Sequence, residues 1–293
     1  MKKFIIIVVS AIVCFSFTAF WHHANSEDQG EFKQRIPLPS PYNQHVDAYQ
    51  LTYPSDGLKI KGFLLQPKHI DGKLPLLVYN RGGNREHGMI RQKTISYLAS
   101  WAQKGYVVVA TQYRGNGGSE GTETYGGKDI DDVINIMHIG EKLPYVDTTK
   151  KYAIGYSRGG MMTYLLMKSG AKFNAVAVVS GITDMFQFYD QRGPEMKQVL
   201  RQLVGDPKDP KVAQTYRDRS VIYWSDKINS PLLMLHGNRD WRVHYTQAEK
   251  LVRQLDQTDK EHKFILYKGA DHPLTKYFDE YNAEIDKWFQ AHS

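Results

Sequence analysis

A single cysteine, Cys14, occurs in the 293-residue sequence. That excludes a disulfide framework and any zinc site built on cysteine ligands. No run of five basic residues occurs, and no basic stripe is interleaved with aromatics. The 38 Lys and Arg against 31 Asp and Glu, a net charge of +7, therefore describe a mildly basic solvated surface and not a nucleic-acid footprint. Internal repeats and low-complexity segments are also missing. Hydrophobic residues at 41% and charged residues at 24% exclude a disordered chain, a collagen and a polytopic membrane protein. What remains is a globular chain long enough for one large α/β domain.

One long apolar run does exist. Met1-Lys2-Lys3 precedes 18 uncharged residues from Phe4 to Trp21. Two lysines ahead of Ile5-Ile6-Ile7-Val8-Val9 make the start of an export signal. Residues 1–24 read as a signal peptide or signal anchor, and 25–44 as a polar tether. Phe20, Trp21, His22 and His23 leave no small-x-small cleavage site, which favours an anchor. The run lies near the lower limit of roughly 17–25 residues for a spanning helix. Val13 before Cys14 is not the small residue that a lipoprotein signal needs. The lysines would stay inside and place the domain outside, either secreted or attached to the membrane through residues 4–21.

From His45 onward the pattern is regular. Val46–Tyr53 and Ile60–Leu65 read as strands joined at Ser55-Asp56-Gly57. Leu74–Tyr79, Tyr106–Thr111, Lys151–Ile154, Ala175–Ser180, Pro231–Leu235 and Lys263–Tyr267 are further strands. Thr94–Gln103, Asp129–Ile139, Met161–Lys168, Thr246–Leu255 and Leu274–Phe289 are helical. Asp184 to Ile228, rich in Tyr, Arg, Asp and Pro, reads as an inserted helical cap. Apolar strands alternating with amphipathic helices imply an α/β fold over 45–293, with a mainly parallel sheet covered on both faces.

Gly155-Tyr156-Ser157-Arg158-Gly159 falls between a strand and a helix. A sharp strand-to-helix turn there lifts Ser157 out of the sheet, and only very small residues fit two positions before and after it. The helix N-terminus then aims main-chain N–H groups at a forming oxyanion, that of Arg158 first. A serine hydroxyl needs a base. Of His236, His244, His262, His272 and His292, only His272 hangs in a loop directly after a strand and beyond an acid. Asp240 follows the strand ending at Leu235, and Asp184 is the runner-up acid. Arg81-Gly82-Gly83-Asn84 follows the strand ending at Tyr79, and Gly83 is the expected second oxyanion donor.

These residues together resemble the alpha/beta hydrolase fold, and more narrowly the catalytic domain of the prolyl oligopeptidase family of serine peptidases. The likeness runs from about His45 to Phe289. Leu51 to Gly62 is similar to the family's entry strands. Tyr113-Arg114-Gly115, Gly126-Gly127-Lys128-Asp129 with Asp131-Asp132, the doubled glycine Gly159-Gly160, and Ser225-Asp226-Lys227-Ile228 with Pro231 and His236-Gly237 follow in the family's order. The resemblance implies a Ser157–Asp240–His272 triad. Peptidases of the family usually carry a β-propeller ahead of the hydrolase. Fewer than about 50 residues precede the hydrolase here, so none is expected in this sequence. Proline-specific members have a tyrosine where Arg81 stands. Arg81 either meets an acidic group of the substrate or pairs with a carboxylate.

The expected activity is hydrolysis of a small ester or a peptide bond through an acyl-enzyme, with no metal or organic cofactor. A carboxylesterase shares all of this machinery. A non-catalytic binding protein on the hydrolase scaffold normally lacks a triad member, and none is missing. Dehalogenases and dienelactone hydrolases use Asp or Cys where Ser157 stands. Arg81, Tyr156 and Trp224 are the candidate substrate contacts, and Phe186, Phe188, Tyr189 and Tyr223 are further candidates for lining an acyl pocket. An imidazole base predicts activity that falls on the acid side, between about pH 5 and 7.

Overall fold

The apolar runs become the strands of one twisted sheet. A computed structural model of the protein describes residues 32–293. The signal or anchor segment, 1–24, lies outside the described residues. The strands are β1 (Phe32–Ile36), β2 (Val46–Ser55), β3 (Leu58–Pro67), β4 (Leu74–Asn80), β5 (Val107–Thr111), β6 (Val146–Tyr156), β7 (Ala175–Val179), β8 (Leu232–Gly237) and β9 (His262–Tyr267). Their spatial order is β1-β2-β3-β5-β4-β6-β7-β8-β9. From β5 to β9 every pairing is parallel, while β1, β2 and β3 form an antiparallel edge joined to β5.

The helices are α1 (Tyr42–His45), α2 (Gln92–Gln103), α3 (Asp129–Glu141), α4 (Arg158–Lys168), α5 (Met185–Gln191), α6 (Pro194–Leu203), α7 (Pro210–Asp218), α8 (Thr246–Leu255) and α9 (Phe278–Ala291). Side chains alternate across a strand, and this sheet buries both faces. Leu76, Val78, Val107 and Val109 pack with Val133, Ile136, Met162 and Leu251 of α3, α4 and α8. Leu77, Tyr79, Val108 and Ala110 pack with Leu98, Trp101, Ile285 and Phe289 of α2 and α9. α2 shows why such a segment becomes a helix. Ile95, Leu98, Ala99 and Ala102 recur on one buried face, and Gly105 with φ 98° turns the chain out beyond its end.

Two expectations change. The polar tether, 25–44, is described from residue 32 onward, and its residues 32–36 are part of the sheet. Phe32 to Ile36 pair with Thr52 to Ala48. Lys33 lies over the Tyr49 ring at 3.9 Å, and Arg35 bridges Asp47 at 2.6 Å. Polar composition suggested a tether, but an edge strand keeps polar side chains solvated while its backbone pairs. The last helix begins at Phe278 and not at Leu274. Leu274 has φ 51°, and a short 3₁₀ turn, Thr275–Tyr277, follows it. The insert 184–228 is helical as expected, built from α5, α6, α7 and two 3₁₀ turns.

Candidate active site

The chain turns sharply after β6. Ser157 holds φ 57° and ψ −119° between β6 and α4, a strained backbone that persists only where the surroundings enforce it. The neighbouring glycines are steric requirements. A Cβ on Gly159 would run into the carbonyl of Asn80, and one on Gly155 into Thr163 Oγ1 and the carbonyl of Gly159. The elbow is also tied across the sheet, since the Ser157 N–H donates to the carbonyl of Val179 at 2.9 Å.

His272 and Asp240 arrive from the loops after β9 and β8. His272 Nε2 lies 2.9 Å from Ser157 Oγ, and its Nδ1 lies 2.7 Å from Asp240 Oδ2. Asp240 Oδ1 accepts the N–H groups of Arg242 at 2.9 Å and Val243 at 3.0 Å. Burial would push the Asp240 carboxyl up. Hydrogen bonds from His236, His272 and the Val243 N–H outweigh that and hold it well below the usual carboxylate range. The carboxylate therefore stays ionised and acceptor-only, which fixes the His272 tautomer as Nδ1–H.

His236 is the member that sequence reasoning passed over. Its Nε2 lies 3.1 Å from Asp240 Oδ2 and 2.8 Å from the carbonyl of Val243. It ends β8 four residues before the acid, and that spacing was the available signal. The His272 loop is held from behind, because its carbonyl accepts the hydroxyls of Tyr156 and Ser180, both at 2.9 Å. The other candidate histidines stand apart. His244 bonds Thr246, His262 pairs with Asp256, and His292 with Glu261. Asp184, the runner-up acid, caps α5 by accepting from Phe186 N and Gln187 N.

Gly82 and Gly83 run beside the elbow. A Cβ on Gly82 would sit 3.0 Å from that of Ser157. The N–H groups of Gly83 and Arg158 donate to no other protein group among the described residues, and Gly83 and Ser157 line one cavity. The Arg158 side chain is buried and locks this loop from below. It bonds Glu123, Asp129 (2.7 Å) and the carbonyl of Gly83 (3.2 Å), between the rings of Tyr113 and Tyr125, each 4.7 Å away. Burial opposes its charge, but Glu123 and Asp129 raise the guanidinium above its ordinary range. Glu123 also accepts the Arg85 N–H at 2.6 Å, so one carboxylate ties the nucleophile's neighbour to the loop opposite.

The expected substrate contacts are corrected in part. Arg81 is 1% exposed and points away from the cavity. Its guanidinium bonds the carbonyls of Gln112 (2.6 and 3.1 Å) and Gly82 (3.0 Å) and stacks on Tyr113. It lines no part of the cavity and bonds no carboxylate. It is a buried brace for the loop after β4. Trp224 is buried under the insert, donates Nε1–H to the carbonyl of Arg217 at 3.1 Å and does not reach the cavity. Tyr156 does line the cavity, but its hydroxyl is committed to His272, and burial pushes its phenol up, which keeps it a neutral donor. The cavity above Ser157, about 480 Å³, is walled by Tyr125, Phe188, Arg192, Met196, Trp241 and Arg242 among others.

A strained elbow serine joined to an imidazole and a buried carboxylate, over the C-terminal ends of a parallel sheet, sets the frame for comparison with known proteins. A family model described as the prolyl oligopeptidase family matches residues 92–293. An uncharacterized peptidase of Bacillus subtilis, YtmA, is 33% identical over 241 residues, covering 82% of this chain and 90% of that protein. The chain belongs to the prolyl oligopeptidase family. It is a serine hydrolase of alpha/beta hydrolase fold. Acylamino-acid-releasing enzyme 1 of Oryza sativa subsp. japonica is 24% identical over 278 residues, covering 88% of this chain and 34% of the rice enzyme. The Pyrococcus horikoshii acylaminoacyl peptidase structure superposes with a TM-score of 0.68 at 22% identity, over 81% of this chain and 41% of that one. The chain thus spans nearly all of the Bacillus protein but only about a third of the rice enzyme. A second family model, acetyl xylan esterase, matches residues 13–133, a stretch that ends before Ser157.

Proposed function

We propose that this prolyl oligopeptidase-family hydrolase cleaves a peptide or other amide bond of a small substrate by acyl transfer at Ser157. The observation that carries the reading is the continuous relay Ser157 Oγ–His272 Nε2 (2.9 Å) and His272 Nδ1–Asp240 Oδ2 (2.7 Å) at the foot of an open cavity. Ser157 Oγ attacks the carbonyl carbon as His272 Nε2 takes its proton. The negative charge that develops on the carbonyl oxygen meets the N–H groups of Gly83 and Arg158. Collapse returns the proton from His272 to the leaving amine. Water, activated by the same imidazole, then releases the acid and restores Ser157. Asp240 stays ionised throughout and holds the ring.

A second reading, an esterase acting on a small ester, is favoured by the acetyl xylan esterase match over 13–133. Amide cleavage requires His272 to protonate a poor leaving group, whereas an ester does not. Rates on matched aryl esters and aminoacyl arylamides separate the two. Arylamide turnover that disappears in Ser157→Ala supports the peptidase reading, and turnover of esters alone overturns it. We also propose that residues 4–21 export the chain and hold it at the membrane, on the strength of Lys2, Lys3 and the uncharged run behind them. Full-length protein found in the soluble cytosolic fraction would contradict this.

A further inference from the structure

Among the described residues, the cavity over Ser157 is walled by two arginines and by no aspartate or glutamate. Arg192 comes from the insert, just after α5, and Arg242 from the loop that carries Asp240. The indole of Trp241 lies between them, with each guanidinium carbon 5.2 Å from its ring centre. Arg192 also lies 5.6 Å from the Phe188 ring. Among the described residues its side chain makes one hydrogen bond, from Nη1 to the carbonyl of Arg242 at 3.2 Å. Its Nε is buried with no partner among the described residues.

This is an unusual resting place for a cation. A buried N–H of a guanidinium without an acceptor is costly. Burial, and then the Arg242 charge, lower its affinity for the proton, against the pull of Tyr125 and Asp240. Asp240 attracts this charge but offers it no hydrogen bond, because its oxygens are taken by two imidazoles and two main-chain N–H groups. Two other buried arginines meet carboxylates, although the Nε of Arg158 is likewise without a partner among the described residues. Arg158 has Glu123 and Asp129, and Arg114 has Asp56 and Asp132. A carboxylate entering the cavity would meet the Nη2 of Arg192, which is not buried and has no hydrogen-bond partner among the described residues, and would supply the counter-charge that this guanidinium lacks. A substrate ammonium group would find no counter-charge there.

We propose that Arg192, together with Arg242, receives a carboxylate of the substrate, so that the site prefers acyl or peptide substrates bearing an acidic group beside the reacting carbonyl. This rests on Ser157 as the nucleophile. The test compares the p-nitroanilides of N-acetylglutamate and N-acetylglutamine, which differ only in that charge. The expected kcat/KM ratio is about tenfold to a hundredfold in favour of the glutamyl compound, falling as salt rises. Arg192→Gln brings the ratio close to one, and Arg192→Lys restores part of it. Equal rates in the unaltered protein, or a ratio that survives Arg192→Gln, overturn the proposal. Calorimetric binding of the α-amides of N-acetylglutamate and N-acetylglutamine, in which the side chain carries the only carboxylate, to Ser157→Ala reads the same preference without turnover. If neither anilide is cleaved but glutamate binding prevails and depends on Arg192, the carboxylate site stands and the peptidase reading falls. If the two bind alike, the carboxylate site falls.

Discussion

Replacing His236 with leucine removes one donor from a carboxylate that the fold has buried. Asp240 is 2% exposed, and its Oδ2 is shared between His272 at 2.7 Å and His236 at 3.1 Å. Losing a hydrogen bond to a charged buried group costs about 1.5–3 kcal/mol. His236→Leu also leaves the Val243 carbonyl without its 2.8 Å donor, so the upper half of that range is expected. The pH dependence follows from the direction of the Asp240 shift. Its folded-state acidity is stronger than in the unfolded chain, so its contribution is full above about pH 4 and is lost as pH falls through the folded value. Without His236 the depression is smaller, so the contribution is smaller and its loss, which begins at the same unfolded-state value, is complete at higher pH. Urea unfolding of both proteins at pH 7 and near pH 3 measures this, with about 2–3 kcal/mol lost at pH 7 and a smaller difference near pH 3. Catalysis should suffer less than folding. His272, Arg242 N and Val243 N still hold Asp240, so kcat/KM should fall about tenfold to a hundredfold. Asp240→Asn, which presents the wrong tautomer to the imidazole, should cost about 10⁴-fold in kcat. A His236→Leu protein of unchanged stability, or one as inactive as Asp240→Asn, would refute this reasoning.

Gly159→Ala should destabilise the elbow by about 3 kcal/mol, because its methyl collides with the Asn80 carbonyl; thermal denaturation should show a Tm lower by about 6–12 °C. Tyr156→Phe removes one of two hydroxyls on the His272 carbonyl and leaves that of Ser180. It should cost less than about tenfold in kcat with KM little changed, whereas a large rise in KM would return the Tyr156 hydroxyl to the substrate. Trp101→Ala, buried between α2 and α9, should cost about 3–5 kcal/mol in urea without changing the arylamide-to-ester rate ratio.

The sheet was legible because its central strands are short apolar runs, and such runs between amphipathic helices have few other places to go. Ser157, Asp240 and His272 were legible for a related reason. Each follows a strand, and loops at one end of a parallel sheet converge. β1 was missed because an edge strand with Lys33, Gln34 and Arg35 in its middle has the composition of a linker. Arg81 and Trp224 were misplaced because sequence position fixes the backbone and not the side chain's direction. At the end of β4, Arg81 turns inward to the Gln112 carbonyl, and at the foot of the insert Trp224 turns onto Arg217. Arg192 carried no signal at all. It reaches the cavity only because the insert folds back onto the loop after β8, and nothing in a one-dimensional pattern records that contact.

The account depends most directly on which atom takes up the acyl group. Trapping the protein with a fluorophosphonate or a slow aryl ester, followed by mass spectrometry of the digested chain, identifies that residue. The prediction is a single adduct on the peptide containing Ser157, absent from Ser157→Ala and greatly slowed in a His272→Ala protein that remains folded. An adduct on another residue, or hydrolysis that persists at full rate in Ser157→Ala, would contradict it.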